Sequence, residues 1–128
     1  MPKPRILICD DEEGVRESLK LILEERYDLQ TAENGEEAVQ HVASAPFDVM
    51  LLDIKMPRMD GMETLRRVRQ LAPNMPVLIL TAYHSMDIAK EAVRLGAKDY
   101  ISKPFEKDQL LEIIEQLLKR SSQLRNNL

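Results

Sequence analysis

The chain has 128 residues, 44% hydrophobic and 31% charged, which is enough for one enclosed core and unlike the composition of a disordered segment. Its net charge of −4 weighs against a domain whose main task is to coat nucleic acid. The single cysteine, Cys9, excludes an internal disulfide, and the apolar stretch that stops at Asp10 is too short for a signal peptide or a membrane span, so the expected location is the cytoplasm.

Short apolar runs alternate with amphipathic segments. The first run is Ile6-Leu7-Ile8-Cys9, followed by a helical face of Val15, Leu19, Ile22 and Leu23. A mixed run, Asp28-Leu29-Gln30-Thr31-Ala32, comes next, then the breaker Asn34-Gly35 and a face of Ala38, Val42 and Ala45. Val49-Met50-Leu51-Leu52 is the third run; Asp60-Gly61 opens a helix with Met62, Leu65 and Val68 inward. Pro73 and Pro76 precede the fourth run, Val77-Leu78-Ile79-Leu80, and a helix faced by Ala89, Ala92 and Val93. Leu95-Gly96 leads into a short mixed run, Asp99-Tyr100-Ile101. Continuous apolar runs suit strands covered on both faces, and mixed ones suit sheet edges.

This alternation predicts a parallel sheet with right-handed crossovers and helices on both sides, a five-stranded doubly wound α/β domain with five helices. In the last helix Leu110, Leu111, Ile113, Ile114, Leu117 and Leu118 cover more of the circumference than one sheet face needs, and Leu124 and Leu128 continue the pattern. That surplus reads either as a greasy terminal helix or as a surface for a partner.

Ligands of open parallel sheets bind at the carboxyl ends of the strands. The first strand ends at Asp10-Asp11, the third at Asp53 and the fourth at Thr81, and Lys103-Pro104 follows the fifth. Asp48 and Asp99 begin strands and belong on the opposite edge. Crowded carboxylates must protonate, bind a cation or not assemble. Magnesium suits a site with few carboxylates and several waters. The charges of Asp10, Asp11 and Asp53, offset by Lys103 and a divalent ion, sum to zero, and a near-neutral pocket accepts a phosphoryl group. A carboxylate nucleophile then forms an aspartyl-phosphate, with the Lys103 ammonium and the Thr81 hydroxyl each holding a phosphoryl oxygen.

The segments Ile8-Cys9-Asp10-Asp11-Glu12, Leu52-Asp53-Ile54-Lys55-Met56-Pro57-Arg58-Met59-Asp60-Gly61, Leu80-Thr81-Ala82 and Gly96-Ala97-Lys98-Asp99-Tyr100-Ile101-Ser102-Lys103-Pro104-Phe105 resemble the receiver domains of bacterial two-component response regulators. The resemblance runs from about Arg5 to about Leu118 and implies a flavodoxin-like sheet of order 2-1-3-4-5. It implies Asp53 as phosphoacceptor, with Asp10, Asp11, Asp53 and the backbone carbonyl of Lys55 holding Mg2+, or Mn2+ as the alternative. Lys103 would contact phosphate and precede a cis bond to Pro104. Thr81 and Tyr100 would form a switch that changes the surface of the fourth helix, fifth strand and fifth helix. Lys55 and Tyr83 fall where the family varies and tunes phosphate lifetime. Pro104 and Phe105, with Gly14, Val15 and Ser18, would form a docking rim for the phosphodonor.

The resemblance further implies a sensor histidine kinase or phosphotransfer protein as donor, and an effector domain or target protein downstream. A homodimer would form through the fourth helix, fifth strand and fifth helix, or through the last helix. The module would catalyse only its own phosphorylation and slow autodephosphorylation, with no nucleic acid or membrane bound directly. Residues 1–120 read as the receiver and 121–128 as a helix extension or the start of a linker, loosely like that of nitrogen-regulator-type transcription activators.

Each residue has a plainer reading when taken alone. Asp10 and Asp11 can cap a helix, Lys103 can be a solvated lysine, Thr81 a turn hydroxyl and Tyr100 cover for an edge strand. Cys9 reads as a small buried apolar residue, Met56, Met59 and Met62 as loop packing, and Glu12-Glu13 as a solvated helix start. His41 and His84 lack the company of further zinc ligands. A haloacid-dehalogenase-like phosphatase would place its second acid two residues after a first-strand nucleophile, where this chain has Glu12. A flavin or nucleotide module would need a glycine- or hydroxyl-rich first loop, where this chain has Asp10-Asp11-Glu12-Glu13. A receiver used only for docking would not need the complete acidic site.

Overall fold

Each apolar run forms a strand, and each amphipathic segment a helix. The computed structural model describes residues 2–55, 60–82 and 86–126. Met56, Met59, Tyr83, His84 and Leu128 lie outside those residues, as does the side chain of Leu124. In chain order the elements are β1 (Arg5–Cys9), α1 (Glu13–Leu23), β2 (Asp28–Ala32), α2 (Gly35–Ser44), β3 (Val49–Asp53), α3 (Gly61–Leu71), β4 (Val77–Thr81), α4 (Met86–Arg94), β5 (Asp99–Ser102) and α5 (Lys107–Asn126). The strands are parallel in the order β2-β1-β3-β4-β5. The mixed runs take the two edges, and every residue of β3 and β4 is buried.

Side chains alternate across the pleat, so one continuous apolar strand supplies two cores. Leu7, Cys9, Met50, Leu52, Val77 and Ile79 meet Ala38, Leu65, Val68, Ala89 and Ala92, on the α2, α3 and α4 side. Ile6, Ile8, Val49, Leu51, Leu78 and Leu80 meet Leu19, Leu23, Leu110, Ile114 and Leu117, on the α1 and α5 side. Each fully buried leucine or isoleucine contributes about 1.5–3 kcal/mol. The apolar surplus of α5 is thereby largely used: Leu110, Leu111, Ile114 and Leu117 are buried, and Ile113 and Leu118 pack partly against the same core. The helix runs unbroken from Lys107 to Asn126, across the boundary expected at residue 120.

Local chemistry sets the helix starts on the α2 and α3 side. Asn34 accepts from the Glu37 N–H at 2.8 Å, and Asp60 from the Glu63 N–H at 2.9 Å. Gly61 is required by a close approach, since a Cβ there would lie 2.5 Å from the Ile54 Cα. Gly96 ends the α4 turn at φ +116°, a conformation that L side chains rarely adopt. The Lys103–Pro104 peptide is cis, as the resemblance implied.

Candidate functional site

The parallel register brings the polar strand ends to one edge. Asp10 directly follows β1, Asp53 closes β3 and Thr81 closes β4; all three are buried. Lys103 lies one residue past β5, its backbone N–H donating to the Thr81 carbonyl at 2.8 Å. From there its ammonium reaches back across the sheet to Asp10 Oδ2 at 2.9 Å, Asp53 Oδ2 at 3.7 Å and Glu12 Oε1 at 3.8 Å. Asp53 Oδ1 accepts from the Lys55 N–H at 3.1 Å. Asp10 Oδ1 accepts from the Glu12 N–H at 2.9 Å, so Asp10 organises the turn ahead of α1 while Glu12 occupies the N-cap position without a side-chain cap bond.

These neighbours set the electrostatics. Burial pushes the Asp53 carboxyl up from 3.8 to about 7; the Asp10 charge and a hydrogen bond with Asp11 push the same way, against the Lys103 charge and the Lys55 N–H. Burial works to lower the Lys103 ammonium, but its bond to Asp10 and the charges of Asp10, Asp53 and Glu12 outweigh burial and raise it. The protein thus gathers more negative charge than Lys103 neutralises. Carboxylate oxygens of Asp10, Asp11 and Glu12 lie within 4.8 Å of one another. That is an all-oxygen donor set of the kind a hard divalent ion takes, and it fits magnesium.

Of the residues expected at the site, Asp10, Asp11, Asp53 and Lys103 come together. Lys55, expected there through its backbone carbonyl, meets Asp53 through its backbone N–H. Thr81 stands one strand over from Asp53, and its hydroxyl donates to the Ala82 carbonyl at 3.1 Å. Tyr100 pairs with Ile79 in the ladder and packs partly buried on the α2, α3 and α4 side; Thr81, two residues beyond Ile79, shares that sheet face.

Two residues escaped the sequence reading. Glu12, read as a solvated helix start, is two-thirds exposed, yet its carboxylate belongs to the acidic group. The available signal was adjacency to Asp10-Asp11. Arg16, one turn into α1, donates from Nη1 to the Asp10 carbonyl at 2.8 Å and pairs with Glu33 at 3.6 Å. Its position six residues after Asp10 carried no signal until the helix curled it back. Cys9 is fully buried, with burial pushing its thiol up and its Sγ donating to the Asn34 carbonyl at 3.6 Å, as a packed residue should.

Beside the acidic edge lies a groove of about 540 Å³, lined by Glu12, Gly14, Val15, Ser18, Ile22, Lys103, Pro104 and Phe105. It contains all five residues expected to form a docking rim, and Lys103 joins it to the acidic site.

The family model of the response regulator receiver domain matches residues 6–115. The chain is 40% identical over 119 residues to the response regulator MprA of Mycolicibacterium vanbaalenii, covering 92% of this chain and 52% of that protein. MprA of Mycobacterium ulcerans is likewise 40% identical, over 118 residues. The chain spans about half the length of the curated relatives it matches. Among solved structures, NtrX from Brucella abortus superposes with a TM-score of 0.93 at 30% identity, covering 97% of this chain and 29% of that one. A CheY-like receiver domain protein from Methanospirillum hungatei gives 0.89 at 34% identity, covering 94% and 98%. With four ordered motifs, the 2-1-3-4-5 sheet and this match over most of its length, the chain belongs to the response regulator receiver domain family of two-component signalling.

Proposed function

We propose that this receiver accepts a phosphoryl group on Asp53 in a magnesium-dependent reaction, from a sensor histidine kinase or a phosphotransfer protein. One observation carries the reading: a buried carboxylate at the end of a wholly buried strand, raised to about 7, lies 3.7 Å from an ammonium and beside further acids. In the transfer, an Asp53 oxygen attacks phosphorus, a P–O bond forms, and the donor's P–N bond breaks with its electron pair left on the imidazole. Lys103, already placed between Asp10 and Asp53, stabilises charge on the phosphoryl oxygens. Asp10, Asp11 and Asp53, with the Lys55 carbonyl, would hold Mg2+ or Mn2+, which when bound offsets the carboxylate charge and polarises the phosphoryl group. The Lys55 N–H fixes one Asp53 oxygen and so restricts the nucleophile's rotation.

Phosphorylation draws the Thr81 hydroxyl from the Ala82 carbonyl toward the new oxygens. Tyr100, on the same sheet face, then follows into the vacated space. The α4-β5-α5 surface changes and regulates a downstream effector domain or target, a two-state equilibrium biased by a local charge event. The module catalyses its own modification and slow autodephosphorylation, and it acts in the cytoplasm; among the described residues no helix is long and apolar enough to cross a membrane. Residues 1–120 form the receiver, and 121–128 extend α5 or begin a linker, with dimerisation through α4-β5-α5 or α5. Transcription regulation is the downstream output proposed for this switch. The groove between Gly14, Ser18 and Phe105 receives the phosphodonor.

Intact mass after incubation with acetyl phosphate and Mg2+ should rise by one phosphoryl group. A chelator and Asp53→Asn should each prevent the rise. Normal modification of Asp53→Asn by the same donor would defeat the assignment.

A further inference from the structure

Asp10 is held at every polar atom. Its N–H donates to the Ala32 carbonyl at 3.1 Å, Oδ1 accepts from Glu12 N–H at 2.9 Å and Oδ2 from Lys103 at 2.9 Å. The fourth hold, on its carbonyl, is the Arg16 guanidinium at 2.8 Å. The first three come from the sheet, the turn and the site itself. Arg16 is an added cation from α1, with a side chain only 12% exposed. Its second partner, Glu33, is 68% exposed and 3.6 Å away, a pairing that water screens. The less screened side of the Arg16 charge is therefore the acidic edge of the sheet.

The charge of that edge needs it. Glu12 and Glu33 are both about two-thirds exposed and screened alike. Asp10, Asp11 and Asp53 carry three negative charges, which Lys103 and a divalent ion balance. A phosphoryl group on Asp53 then leaves the site one positive charge short, and Arg16 closes that deficit.

Resting on the phosphoacceptor reading above, we propose that Arg16 supplies a counter-charge for the phosphoryl anion across space, held beside the site by its bond to the Asp10 carbonyl. A counter-charge for an anion has a signature that a structural clamp lacks. A cation near the site repels the divalent ion and attracts the phosphoryl group, so its removal moves the two affinities in opposite directions or leaves the metal unaffected. Loosening the Asp10 turn would weaken both.

The test is Arg16→Gln in the full chain, with Mn2+ affinity measured by electron paramagnetic resonance and beryllofluoride affinity by fluorine-19 NMR in saturating Mg2+. Mn2+ should bind at least as tightly as to the native protein, and beryllofluoride about three- to tenfold more weakly, the size expected for losing one charge in a partly screened site. Arg16→Lys should return both to near native values. Both affinities falling together, neither moving, or both rising would overturn the proposal. Folding is checked by circular dichroism, and Arg16→Met, which keeps the packed aliphatic stem, repeats the measurement should the glutamine variant not fold. A native protein that binds neither Mn2+ nor beryllofluoride would instead defeat the phosphoacceptor reading itself.

Discussion

The two ends of the sheet carry the same residue type and do different things with it. At the amino end, Asp48 accepts from the Arg5 N–H at 2.8 Å, and Asp99 from the neighbouring Tyr100 N–H at 2.8 Å. Asp99 is exposed and Asp48 half-buried. Each fastens a strand start through a backbone donor. At the carboxyl end, Asp10 and Asp53 are buried, face each other's charge and share one ammonium. An aspartate here is set apart by loss of water and the company of other acids, which together raise the Asp53 carboxyl. At the amino end a nearby N–H leaves it a structural tie.

The comparison breaks most sharply at Asp53. Asp53→Asn should remove phosphoryl uptake altogether, whereas Asp48→Asn should leave it intact, both read by intact mass; loss in the Asp48 variant would show that the two ends are not functionally distinct. Next in size is Lys103→Ala, for which phosphorylation by a small-molecule donor should slow by about 100- to 1,000-fold, the scale of losing one preorganised donor to a transferring group.

A third prediction concerns pH. The folded Asp53 carboxyl sits at about 7 against an ordinary 3.8, so between those values the folded chain binds a proton that the unfolded chain has released. Stability in chelator should therefore fall as pH rises through that window and level off above it. Asp53→Asn should flatten the profile and raise stability near pH 8 by about 1–2 kcal/mol, measured by urea melts. A profile that climbs through the window in the native protein would contradict the crowding of acids. The smallest effect belongs to the amino end. Asp48→Ala removes the bond to the Arg5 N–H and should cost about 0.5–1.5 kcal/mol with no change in phosphoryl uptake.

Much of this contrast is legible in the sequence. Strands that are apolar throughout had to be central, and those with Asp28 and Gln30 or Asp99 in them had to be edges. The end of a strand on which an aspartate falls is a matter of counting, which separated Asp53 from Asp48. The surplus of leucines on α5 was harder to read. It could have signalled a partner, yet most of it covers the β1-β3-β4 face, because a long helix crossing a twisted sheet meets it along more than one stripe. Glu12 and Arg16 were not legible. An acidic residue at a helix start and an arginine one turn later are ordinary solvated features, and only the path of the β1–α1 turn shows that one joins the acid cluster and the other grips the Asp10 carbonyl. The Thr81 hydroxyl was expected to serve a phosphoryl oxygen; its bond to the Ala82 carbonyl is a short local alternative that a strand end always offers a threonine.

By itself the sequence determined the alternating α/β architecture, the central and edge strands and the set of polar strand ends, because hydrophobic periodicity and chain order are local properties of the residues. Tertiary structure alone decided how closely those charges approach, how far water is kept from them, and that Glu12 and Arg16 join them. The 2-1-3-4-5 order sets β1 beside β3, so that Asp10 and Asp53 share burial and one lysine returns from beyond β5 to both. Electrostatic energy depends on separation through space and on exclusion of water, and neither is written in the spacing of residues along the chain.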